Sequence, residues 1–64
     1  MAVSLTEQIT CVRREIGFRE RVYARRVAEG KMKQDQADRE LAAMQAVLET
    51  LRKLFNEQNP ELLG

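Results

Sequence analysis

This 64-residue chain is expected to fold as an all-α, antiparallel two-helix hairpin, and three features carry that expectation. Before Gly30, apolar residues recur by alternating fours and threes at Leu5, Ile9, Val12 and Ile16, then at Tyr23 and Val27. After it the same rhythm returns at Ala37, Leu41, Met44, Leu48, Leu51 and Phe55. Such steps keep side chains on one stripe of a helix, as in a heptad seam. The two ladders also register with each other. A turn near Lys31 and Met32 sets Val27 opposite Ala37, Tyr23 opposite Leu41, Ile16 opposite Leu48 and Ile9 opposite Phe55, as antiparallel neighbours joined by a short connection. The chain reads as a single domain over 1–64, with helix 1 over about 5–29, helix 2 over about 34–57 and a C-terminal tail at 58–64.

Each boundary has its own chemistry. Ser4-Leu5-Thr6-Glu7 matches a capping box, in which the serine hydroxyl accepts from the third amide onward and the glutamate reaches back. Helix 1 then meets one interruption, Gly17, which costs about 1 kcal/mol against alanine or marks a close approach by another helix. Gly30 suits the left-handed residue that closes a helix, with Met32 placed to cover the end. Helix 2 has Lys33 and Gln34 where a capping side chain belongs, although Asp35, Asp38 and Glu40 favour the positive end of its dipole. Asn59-Pro60 stops it, because proline disfavours the α region for the residue before it. The remaining tail is expected to fray or to be held through Leu62 and Leu63.

A second apolar row lies off the seam. At about 100° per residue, Cys11, Phe18 and Val22 fall together on helix 1, and Ala43, Val47 and Leu54 adjoin the ladder of helix 2. A two-helix hairpin has one interior and cannot bury both rows. An exposed patch of this extent is unusual for a monomer. Association of two hairpins as a homodimeric four-helix bundle is therefore expected, with Cys11, Phe18, Val22, Ala43, Val47 and Leu54 as the candidate dimer surface. Cys11 itself reads as a small buried hydrophobe rather than a reactive thiol.

Charge is distributed unevenly behind a net +1. Up to Lys33 there are eight basic and four acidic residues, and beyond it three basic and six acidic. One reading pairs the arginines of helix 1 with Glu40, Glu49 and their neighbours on helix 2, within a hairpin or across a dimer. The other notes that Arg14, Arg21 and Arg25 share one side of helix 1 with Phe18. Guanidinium groups suit phosphate and an aromatic ring can stack on an unpaired base, so this is the candidate nucleic-acid or partner face. Arg19 interrupts the ladder between Ile16 and Tyr23. It is expected to snorkel, its stem packed and its head in water, with pairing to Gln45, Glu49 or a dimer mate as the alternative.

Composition narrows the function. With 44% hydrophobic and 33% charged residues, the chain lies far from disordered compositions. It has one cysteine and no histidine, which excludes an internal disulfide and a Cys/His zinc site. The three glycines, Gly17, Gly30 and Gly64, form no phosphate loop, and the helix N-terminus accounts for the early carboxylates of helix 2. No catalytic residue, metal ligand or cofactor is expected, and the chain reads as not an enzyme. The N-terminal stretch has no signal-peptide pattern and no segment approaches the ~20 apolar residues of a membrane span, so a cytoplasmic protein without membrane contact is expected.

The segment from Gly30 to Leu41, preceded by Arg19-Glu20-Arg21-Val22-Tyr23, resembles small uncharacterised helical-hairpin proteins of phages and prophages. These share an Arg-Glu-Arg-Val-Tyr helix, a Gly-x-Met turn and an Ala-x-x-Glu helix. The resemblance spans most of the chain and implies no established activity. The turn is also similar to SHOCT-type hairpins, thought of as association modules; Lys33 departs from the capping serine or threonine common in both. The resulting expectation is a small, non-enzymatic, phage-derived interaction protein that binds a macromolecular partner, a host protein among the candidates. The alternative is a nucleic-acid-binding bundle using the arginine face.

Overall fold

The computed structural model describes residues 2–62. Two antiparallel helices, α1 (Leu5–Ala28) and α2 (Gln34–Gln58), pack along their length, and a 3₁₀ turn (Pro60–Leu62) follows. The hairpin is long and thin, 47 × 25 × 16 Å, with a radius of gyration of 14.9 Å. A compact domain of this length would have about 11 Å.

Helix α1 starts at Ser4, whose extended backbone (φ −67°, ψ 158°) lets its hydroxyl accept from the Glu7 N–H at 3.1 Å. Only half of the expected capping box forms. No bond runs back from the Glu7 carboxylate to Ser4 among the described residues; instead the Gln8 amide donates to the Val3 carbonyl at 3.0 Å.

The turn closes α1 with two crossed backbone bonds. The Lys31 N–H donates to the Arg26 carbonyl at 2.8 Å and the Gly30 N–H to the Val27 carbonyl at 3.0 Å. This is a Schellman motif, and it needs a left-handed residue. Gly30 supplies it at φ 72°, and Met32 lies half-buried beyond. Lys33 begins α2 with extended backbone but no side-chain bond, so the first-turn amides rely on Asp35, whose carboxylate accepts from the Gln36 N–H at 3.0 Å. At the far end the Asn59 amide donates to the Phe55 carbonyl at 2.9 Å. Pro60 then turns the chain into the 3₁₀ segment. The expected contacts of Leu62 and Leu63 lie outside what is described.

Both ladders face the seam. Ile16, Ala37 and Leu48 are buried, and the other ladder residues, Leu5, Ile9, Val12, Tyr23, Val27, Leu41, Met44, Leu51 and Phe55, are half-buried. Gly17 does not mark a helix approach within the hairpin. A Cβ there would meet only the guanidinium end of Arg21, at 3.9 Å. No helix among the described residues is long and apolar enough to cross a membrane.

Candidate functional site

Two surfaces remain once the seam is filled. The first is the flank shared by both helices. With Ile16 and Leu48 at the centre of the seam, Cys11 and Val22 on α1 and Val47, Ala43 and Leu54 on α2 fall about 100–140° to the same side. In an antiparallel pair those two flanks form one face. On that face a groove of about 440 Å³ is lined by Val3, Glu7, Gln8, Cys11 and Val12 from the α1 end and by Val47 and Leu51 from α2. Val3 is 52% exposed, Val47 46% and Leu54 41%.

Cys11 departs from its expected burial and is exposed, because it sits on the flank rather than in the seam. Val22 is half-buried and lines a separate groove beside the turn, with Tyr23, Arg26, Lys31, Met32, Gln36 and Glu40. The apolar groove is thus confined to the half of the face nearer the free ends, and the turn half is polar. Ala43 is exposed and lines no groove described here.

Val3 was absent from the expected surface, and a local signal for it exists. It occupies the position before the N-cap, where an apolar residue usually packs on the fourth helical residue as a staple. That residue is Gln8, which bonds the Val3 carbonyl instead of covering its side chain.

The second surface is the outer side of α1. Arg14, Arg21 and Arg25 fall about 140–180° from the seam, and Phe18 adjoins them at about 160° on the other side. All three arginines are exposed and Phe18 is 53% exposed. Phe18 therefore stands at the border between the arginine row and the Cys11 side of the apolar face.

The expected pairing of these arginines with acids of α2 does not occur within the hairpin. Among the described residues, the ion pairs are Arg19 with Glu15 at 2.8 Å and Lys31 with Glu29 at 4.0 Å. Arg19 keeps a third of its side chain exposed. It reaches one turn back along its own helix, and neither Gln45 nor Glu49 receives it. The hydrogen bond that Arg19 donates to Glu15 holds the guanidinium pKa above its ordinary value, with desolvation opposing more weakly. Glu15 is consumed by this contact and offers little to the outer row.

Among the described residues no three His, Cys, Asp or Glu side chains gather where a metal could sit. Asp38 accepts from the Gln34 amide at 2.9 Å, and Asp35, which accepts from the Gln36 N–H at 3.0 Å, lines an open groove with Lys33, Gln36, Arg39 and Glu40. No known protein family, curated protein or solved structure matches the chain.

Proposed function

We propose that the chain is a non-enzymatic interaction protein whose working form is a homodimer, two hairpins closing their apolar faces into a four-helix bundle. The observation that carries this reading is the amount of surface left uncovered. A single hairpin exposes 5124 Å². A folded monomer of 7.4 kDa is expected to expose about 4,200 Å². The excess, about 900 Å², matches the ~800 Å² that each partner contributes to a standard interface.

The identity of the excess supports the same conclusion. Val3, Val47 and Leu54 are large apolar groups on one face, and the groove between the helices is lined mainly by aliphatic and thiol side chains, with Glu7 and Gln8 at its N-terminal end. A second copy presents a matching face by symmetry, which a self-complementary C₂ interface requires. Among the described residues Ile16, Ala37 and Leu48 are the buried core of one hairpin, and each further large side chain covered adds roughly 1.5–3 kcal/mol to it.

A host macromolecule as the bundle's further partner rests on the resemblance of the turn to phage and prophage hairpins. Sedimentation equilibrium tests the self-association. The expected result is a mass twice 7.4 kDa at micromolar concentration, falling to the monomer value in Val47→Asp. A concentration-independent monomer for the unaltered chain contradicts the reading.

A further inference from the structure

We propose that the outer face of α1 binds single-stranded nucleic acid through Arg14, Phe18, Arg21 and Arg25. This goes beyond self-association and does not depend on it. The four residues recur at steps of four, three and four, forming one line on the helix. At 1.5 Å per residue Arg14 and Arg25 stand about 16 Å apart, with Phe18 between them. The line points away from the seam; Arg14 and Phe18 border the Cys11 side of the dimer face, while Arg21 and Arg25 lie outside a dimer closed over Val47 and Leu51.

The charge on this line is unspent. None of the three arginines has a carboxylate within 4.0 Å among the described residues, while the neighbouring acids Glu15 and Glu29 face Arg19 and Lys31. By helical spacing no carboxylate falls on the line between Arg14 and Arg25; Glu7 shares this side two turns before Arg14 and lines one groove with it. Gly17, beside Phe18 and Arg21, has open space where a side chain would be, apart from the end of Arg21 itself.

The residue types choose the partner. Guanidinium forks match phosphate oxygens in pairs. An exposed phenyl ring set among them offers a stacking platform, which an unpaired base can use and a stacked duplex cannot. An anionic membrane surface would ask for a broad apolar face beneath the cations, and this line carries one apolar side chain.

Fluorescence anisotropy with labelled single-stranded DNA and RNA oligonucleotides, and with a duplex of equal length, tests the proposal between 50 and 200 mM salt, a range over which about three phosphate contacts give a slope of roughly −2 in log affinity against log salt. Single strands are expected to bind more tightly than duplex. Phe18→Ala should lower single-strand affinity about tenfold, Arg21→Glu with Arg25→Glu should abolish it, and Arg21→Lys with Arg25→Lys should retain most of it. Circular dichroism and sedimentation of each variant report helix content and mass. Three outcomes overturn the proposal: no binding by the unaltered chain at 50 mM salt, binding indifferent to charge reversal, or a charge reversal that splits the dimer, which would assign the arginines to the second copy.

Discussion

Two apolar rows of similar chemistry meet different fates in this hairpin. The seam row, centred on Ile16 and Leu48, is buried or half-buried along both helices. The flank row keeps Val47 and Leu54 more than two-fifths exposed. Hydrophobicity does not separate them, since leucine and valine occur in both. Angular position does. One pair of helices creates one interior, and the row about 100° away from it needs a second pair. The difference teaches that the seam settles the fold of the hairpin, while the flank is the face that the proposed association closes.

The sharpest way to break the comparison is to cut one side chain from each row. Leu48→Ala should cost about 2–5 kcal/mol and leave little folded hairpin, read as lost helicity and lost cooperativity in urea. Val47→Asp should keep the hairpin while dissociating the dimer. Two copies each lose roughly 1.5 kcal/mol of apolar burial, about a hundredfold in the dissociation constant, before any cost of facing two carboxylates. If instead Val47→Asp melts the helices as Leu48→Ala does, the flank and seam are one cooperative core.

Smaller effects sharpen the account at the helix starts. Ser4→Ala should destabilise by about 1 kcal/mol, because it removes the one side-chain bond that caps α1. Lys33→Ser should act the other way by a similar amount, supplying the acceptor that α2 lacks. Gly17→Ala should stabilise by up to about 1 kcal/mol, since no packed neighbour opposes a methyl group there. Thermal melting resolves all three, provided protein concentration is held constant, because the melting point of a dimer rises with concentration.

The parts of the molecule readable in its sequence are those set by backbone periodicity. Ladder spacing alone places Leu5 to Val27 and Ala37 to Phe55 at the seam, because a helix repeats every 3.6 residues whatever its environment. Gly30 was legible for a similar reason: the turn needs positive φ, and glycine adopts it without penalty. Side-chain choices among near-equal partners were not legible. Arg19 reaches Glu15 rather than Glu49, and Gln8 rather than Glu7 serves the N-terminal turn. Exposed ion pairs differ by under about 1 kcal/mol, so spacing does not rank them. Cys11 shows the other limit. Its residue type favours burial, but the angle that places it beside the Val47 groove decides its exposure.

The central claim is that a second copy covers the flank and leaves the seam internal to each hairpin. Isotope-filtered nuclear Overhauser spectra of a mixed labelled and unlabelled sample test it directly. Intermolecular contacts are expected at the methyl groups of Val47 and Leu54 and beside Cys11, with the methyl groups of Ile16 and Leu48 showing contacts within one chain only. Intermolecular contacts confined to Ile16 and Leu48 would mean that the helices exchange between chains, and their complete absence at millimolar concentration would mean a monomer; either contradicts the claim.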